Sequence, residues 1–321
     1  MPGRSTLRLR VRKCLQRTCA RVLAFVGLAV ARVLTVRQIQ WLGNVLGSAG
    51  YVLMIGRRRC MARNLDQAFG DSMSPRRKRD IAIASVRNLA KTCLEFLKLR
   101  WLSGEQVEEL VQLEGAEHLA AALREKRGAI LLTAHYGNWE LTGARIARAG
   151  FPLTVIARDH DDAATAALVN RIRECHGVRV LRRGDVRGAL RCLRRNEVLG
   201  ILPDHNISQG GLLVDFFGRP AMTAPGPATY ALRTGAAIVP MFSVREADGR
   251  LRAVFEPSLP LVRTGDRAHD ALVNTQRITD VVQQAITRHP EQWMWIHRRW
   301  KSAPAPDSVA AAPAEDAAGE R

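Results

Sequence analysis

The sequence predicts an α/β fold: a largely parallel central sheet flanked by helices, preceded by a helical, membrane-associated N-terminal segment. Three observations predict it. From Ala129 onward, short apolar runs alternate with helix-length segments, as in βαβ units. The third of the chain before Ala129 carries helical spacing. The chain opens on a basic stretch followed by two apolar stretches. The expected units are therefore residues 1–56 (N-terminal basic and apolar helices), 57–301 (the α/β domain) and 302–321 (a disordered tail).

Residues 1–21 carry Arg4, Arg8, Arg10, Arg12, Lys13, Arg17 and Arg21. The apolar run Val22–Val36 is broken by Arg32 and falls short of the roughly 20 residues of a spanning helix. A second run, Ile39–Ile55, is interrupted by Gly43, Asn44, Gly47 and Gly50. Together they read as a helical hairpin or surface anchor on an anionic leaflet, with a pair of core helices as the alternative. No small-residue cleavage site follows the first run, so no removed signal peptide is expected.

Arg57–Phe69 reads as a basic helix stopped by Gly70. Ser72 or Ser74 opens a helix to about Leu99, with Ile81, Val86, Leu89, Cys93, Leu94 and Leu97 at helical spacing. Glu114–Arg127 reads as a helix ended by Gly128. Then follow strand Gly128–Thr133, helix Leu141–Ala149, strand Leu153–Ala157 and helix Asp161–Cys175. After them come strand Val178–Leu181, helix Asp185–Arg195 and strand Val198–Leu202. Ala236–Val244 and Leu251–Phe255, joined at Asp248-Gly249, read as an antiparallel hairpin, and Asp270–Arg288 as the last long helix. The Ala-, Pro- and acid-rich tail suits disorder.

The 321 residues suffice for a sizeable core, and 47% hydrophobic with 25% charged residues is ordinary for a globular protein. The formal net charge of +19 is not ordinary. It attracts nucleic acid, anionic membrane or an acidic protein, although Arg-rich coding bias would produce the same number. No recognised nucleic-acid motif occurs and aromatics are only 5%, so no nucleic-acid partner is expected. A non-catalytic peripheral membrane protein remains as an alternative. The six cysteines show no Cys-x-x-Cys spacing and read as reduced, mostly buried thiols.

The chemistry concentrates in Ala134-His-Tyr-Gly-Asn-Trp-Glu140. His135 falls at the carboxyl end of a strand, where open α/β sheets bind ligands. A neutral imidazole there takes a proton from a hydroxyl. Asn138 can cap the next helix, Glu140 can fold back to the other ring nitrogen, and the helix-start amides favour negative charge; a surface or structural His–Glu pair is the alternative reading of the same spacing. His135 and Glu140 lack the spacing of paired zinc ligands and no Gly-x-Ser-x-Gly elbow appears, so neither a metal nor a serine nucleophile is expected. Arg158 and Asp204 stand at two further strand ends, the first suited to a phosphate or carboxylate, the second to positioning an Arg or a substrate hydroxyl. Gly210–Thr223, with Phe216 and Phe217, reads as the wall of an apolar channel or as a plain hairpin. Trp293–Lys301 suits either a membrane interface or packing on the sheet.

The His-x4-Glu motif at 135–140 resembles that of glycerolipid-type acyltransferases, and more narrowly of the late acyltransferases of bacterial lipid A biosynthesis. Arg63-Asn-Leu65, Glu114–Leu119, Phe216–Ala221, Ala231–Ala237 and Trp293–Lys301 carry the same resemblance, which spans roughly residues 40–301. It implies transfer of a fatty acyl group from acyl carrier protein to a hydroxyl of an anionic glycolipid at the cytoplasmic face of the cell inner membrane. His135 is then the general base and Glu140 its partner. Asn138, Arg158, Asp204, Arg219 and Thr223 are the substrate-binding candidates, and no metal or bound cofactor is implied. Where the family commonly shows Asp-Gln, this chain has Asp204-His205. A lysophospholipid, ornithine lipid or aryl polyene lipid acceptor therefore stays open.

Overall fold

The computed structural model describes residues 25–157 and 162–302. A helix through residues 25–33 (α1) leads to α2 (Val36–Leu53), α3 (Ile55–Phe69), α4 (Pro75–Leu99) and α5 (Gly104–Leu110). The sheet region then runs β1 (Val111–Glu114), α6 (Glu117–Arg124), β2 (Ala129–Leu132), α7 (Trp139–Arg148), β3 (Leu153–Ala157) and α8 (Ala163–Glu174). It continues through β4 (Arg179–Arg182), α9 (Val186–Arg194), β5 (Val198–Ile201), β6 (Leu212–Asp215) and β7 (Pro220–Thr223). It closes with α10 (Gly226–Thr234), β8 (Ala237–Arg245), β9 (Leu251–Phe255) and α11 (Arg267–Arg288).

Seven strands form one sheet in the order β1-β9-β8-β2-β5-β3-β4, while β6 and β7 form a separate antiparallel hairpin. Strands β8, β2, β5, β3 and β4 run parallel; β8 and β9 are antiparallel, and β1 lies parallel to β9. The expected mixed α/β architecture with a mostly parallel sheet is therefore present. Successive side chains of a strand point to opposite faces, and both faces are covered here. Ala129 and Leu131 of β2 enter a core with α4 to α8, and Ile130 and Leu132 enter a second core with α9, α10 and α11. Burial on both sides explains why β2 reads as a continuous apolar run.

The expected helix Glu114–Arg127 is corrected to strand β1 followed by the shorter α6. Residues Val111–Glu114 pair with Leu251–Val254, a distant partner that no local pattern displays. The short helices α5 and α10 also escape the periodicity. Ser74 caps α4, accepting the Arg77 N–H.

Helix α2 lies tightly on α4, burying Ile39, Gly43, Gly47 and Tyr51. A Cβ on Gly47 would stand 2.5 Å from the Arg87 Cα, so only glycine permits this approach. The opposite face and its surroundings leave Trp41, Leu53 and Val33 at 66%, 77% and 81% exposure. No helix among the described residues is long and apolar enough to cross a membrane. The basic stretch 1–21 and tail residues 303–321 lie outside the described residues. Of the described cysteines, Cys60 and Cys192 are buried and Cys93 and Cys175 exposed, all as free thiols.

Candidate active site

Strands β2 and β5 are neighbours, with Leu132 opposite Ile201. His135 and Asp204 each follow three residues later, so the parallel register delivers both to the same sheet edge. The Asp204 carboxylate holds His135 twice: Oδ2 accepts the backbone N–H at 3.0 Å, and Oδ1 lies 2.9 Å from Nδ1. The Trp293 indole N–H also donates to Oδ2, at 2.9 Å. Asp204 is fully buried, whereas the His135 side chain is 21% exposed. Burial would raise the Asp204 pKa, but His135, through the charge it carries when protonated and its hydrogen bond, together with nearby His205 and the indole N–H, more than reverses this. The carboxyl is held below the usual carboxylate range. An ionised Asp204 keeps the proton on Nδ1 and leaves Nε2 as the acceptor.

Glu140 does not reach His135, contrary to the expected fold-back. Its carboxylate takes a bidentate pair from Arg173 of α8, with Nε at 2.9 Å and Nη2 at 2.5 Å. The fork geometry of guanidinium satisfies both oxygens, and Nδ1 of His135 is already engaged by Asp204. Two of the helix-start amides are not open either. Asn138 Oδ1 accepts from the N–H groups of Glu140 and Leu141, and the Gly137 N–H donates to the Gln292 carbonyl.

The loop carrying His135 is held by a buried polar hub that local sequence spacing does not reveal. Glu95 of α4 accepts two hydrogen bonds of 2.7 Å from the Arg245 guanidinium of β8, and one of 2.7 Å from Asn138 Nδ2. Asn88 and Thr92 donate to the Gly137 carbonyl at 2.9 and 3.0 Å. Gly137 has φ +58°, and a Cβ there would collide with the Ser243 carbonyl, which makes glycine necessary.

The proposed substrate contacts separate. Asn138 is completely buried and bonded internally at both ends of its amide, so it shapes the loop and offers nothing to a ligand. Arg219 is exposed at the β6–β7 turn and donates to the Gln67 carbonyl, away from the cleft. Thr223 is buried and receives the Arg299 guanidinium. Arg158 lies outside the described residues. Phe216 is core, edge-on to Trp293 and Phe217, so β6–β7 is the hairpin and not the channel wall. Trp293 and Trp295 are buried as well, and Asn64 ties that segment down by donating to the Trp295 and His297 carbonyls.

A cleft of about 530 Å³ opens beside His135, a volume typical of ligand sites. Leu99, Leu131, Leu153, Val155, Ile156 and Met241 give it an apolar wall, with His135, His205, Glu140, Arg173 and Arg183 among its polar members. His135, Asp204 and His205 place ligand-type atoms within 4.8 Å of one another. The two rings, however, are parallel within 5° at 3.7 Å, so their in-plane lone pairs run side by side and do not converge on one ion. The arrangement is that of an oriented imidazole beside an apolar slot.

The sequence model of a family described as bacterial lipid A biosynthesis acyltransferase matches residues 12–302. The chain is 28% identical to the lipid A biosynthesis lauroyltransferase of Escherichia coli (strain K12) over 269 residues, 82% of this chain and 85% of that protein. The palmitoleoyltransferase of the same organism is 25% identical over 271 residues, covering 84% and 86%. A phosphatidylinositol mannoside acyltransferase of Mycobacterium tuberculosis (strain ATCC 25618 / H37Rv) is 31% identical over 192 residues, 58% of each chain.

Proposed function

Because the chain belongs to the bacterial lipid A biosynthesis acyltransferase family, and is therefore an enzyme that transfers acyl groups, we propose that it moves a fatty acyl group from acyl carrier protein to a hydroxyl of a lipid A precursor. The observation that carries this reading is the His135–Asp204 pair at the polar end of an apolar cleft. His135 Nε2 takes the proton of the acceptor hydroxyl as its oxygen attacks the thioester carbonyl. Asp204 stabilises the imidazolium that forms. Collapse of the tetrahedral intermediate expels the thiolate, which recovers the proton from His135. The thioester is already activated, so the step needs no covalent enzyme intermediate. With the Glu140 and Leu141 amides engaged, charge developing on the carbonyl oxygen faces Arg173 and Arg183 among the described cleft residues. The acyl chain lies along the Leu153–Val155–Met241 wall.

The membrane-facing part of the proposal rests on the outward apolar residues of α1 and α2 beside the arginines Arg57, Arg58, Arg59 and Arg63 of α3. These suit the cytoplasmic face of an anionic inner membrane, and the basic field suits an acidic carrier protein. A mannoside lipid is the second acceptor reading, favoured by the mycobacterial relative.

The test is transfer from lauroyl-, myristoyl- and palmitoyl-carrier protein to a purified lipid A precursor, read by mass spectrometry. A product heavier by one acyl group, absent with His135→Ala, is expected. Unchanged turnover in folded His135→Ala refutes the base. Transfer to the mannoside but not to the lipid A precursor changes the acceptor and leaves the mechanism standing.

A further inference from the structure

We infer that His205 is a positioning residue for His135: it is the middle ring of a three-imidazole stack that keeps the base edge-on to the cleft. The inference rests on the reading of His135 as that base. His135 and His205 stack at 3.7 Å with 5° between their planes, and His205 and His297 at 3.9 Å with 12°. Trp139 meets the His135 ring edge-on at 5.0 Å. A ring held only through Nδ1 swings about that hydrogen bond; a ring between two aromatic neighbours does not.

The stack is itself anchored. His297 Nε2 accepts the Asn206 N–H at 3.0 Å, and Asn206 and Ser302 bond one another through side chain and backbone. Asn64 of α3 donates to the His297 carbonyl at 2.6 Å. The aim of the base is thereby referred to the C-terminal segment and to α3, both far from β2 in sequence.

A stacked neighbour helps an imidazolium only while it stays neutral, so that its face meets the cation and not a second charge. The groups around His205 are Asp204, His135, His297 and the buried guanidinium of Arg299, with Arg57 facing His297 from α3. Burial, reinforced by the cationic neighbours, pushes His205 down to about 3 and His297 down to about 4, against the pull of Asp204. Both therefore remain uncharged when His135 accepts its proton. Among the described residues, His205 Nε2 makes no hydrogen bond, while both faces of its ring are in stacked contact.

The experiment compares His205→Ala, His205→Phe, His205→Gln and His135→Ala in the full chain, using acyl-carrier protein and the lipid acceptor. Loss of positioning lowers kcat of His205→Ala by about tenfold or more, with KM for both substrates little changed. His205→Phe, which retains the stacked face, recovers most of that loss. Nitrogen-15 imidazole spectra show His135 mainly as the Nδ1–H tautomer in wild type and His205→Phe, and as a mixture in His205→Ala. If His205→Ala does not fold, His205→Phe against His205→Gln gives the same comparison, with Gln the slower. Equal losses in the Phe and Gln variants, or a raised KM with kcat unchanged, overturn the inference. An inactive His135→Ala beside a His205→Ala within about twofold of wild type overturns positioning alone, and an active His135→Ala overturns the base reading itself.

Discussion

At the residue scale, two carboxylates compete for the role of partner to His135, and geometry separates them. Asp204 touches both the ring and the backbone of His135, whereas Glu140 is closed into a pair with Arg173. Asp204→Asn preserves size but removes the charge that selects the Nδ1–H tautomer. By analogy with the aspartate of hydrolase triads, kcat is expected to fall by about 10²–10⁴-fold. Glu140→Gln keeps an oxygen for Arg173 and costs about tenfold or less. Steady-state kinetics on the two purified variants checks the order, and a larger loss in Glu140→Gln would return the partner role to Glu140.

At the scale of elements, α4 is the member on which the rest is assembled. One part of it supplies Glu95, Asn88 and Thr92 to the loop carrying His135 and to Arg245; its backbone receives Gly43 and Gly47 of α2. The glycines that interrupt the second apolar run are thus its contact face. Gly47→Val drives a branched side chain into the Arg87 backbone and forces α2 away. Overpacking of this kind costs about 1–3 kcal/mol, read as a shift in the urea midpoint; a midpoint equal to wild type would show that α2 does not hold this position. The Glu95–Arg245 pair is almost wholly buried. Glu95→Ala strands the guanidinium, and breaking a buried pair in this way costs about 3–5 kcal/mol. The double variant Glu95→Leu/Arg245→Met is expected to recover part of that loss, as denaturant unfolding would reveal.

At the scale of the whole molecule, two half-buried imidazoles make stability depend on acidity. His205 and His297 have an ordinary value of 6.5 when the chain is unfolded, but about 3 and about 4 when folded. Between those limits the unfolded chain binds more protons, so stability rises with pH. It is complete above about 6.5 and declines as pH falls toward 4 and then 3. The melting temperature should follow that curve, and His297→Gln should flatten it; an unaltered slope would place the acid sensitivity elsewhere. The charge of +19 acts at the same scale. Binding to vesicles rich in anionic lipid should weaken as salt rises, and Trp41→Asp with Leu53→Asp on the exposed face of α2 should weaken it in low salt as well. Binding that ignores both changes would remove α2 from the membrane surface.

Elements whose causes are local were legible in the sequence. The apolar run of β2, the Asn138 cap and the Gly70 stop each depend on a few consecutive residues, and so does the hairpin at Asp248-Gly249. The sequence by itself therefore determined the α/β class and brought His135 and Asp204 to one edge of the sheet. It did not reveal that β1 is a strand, because its pairing partner is β9. It also assigned Glu140 as the partner of His135, where the folded chain pairs the ring with Asp204. Spacing along the chain favours the nearer carboxylate, while hydrogen bonding depends on spatial register, and only the side-by-side packing of β2 and β5 brought the more distant one within 2.9 Å. The same reason governs Asn138, Thr223 and the Trp segment. A polar or aromatic residue shows its type in the sequence, but whether it meets solvent, a ligand or the interior is decided by what the folded chain places against it.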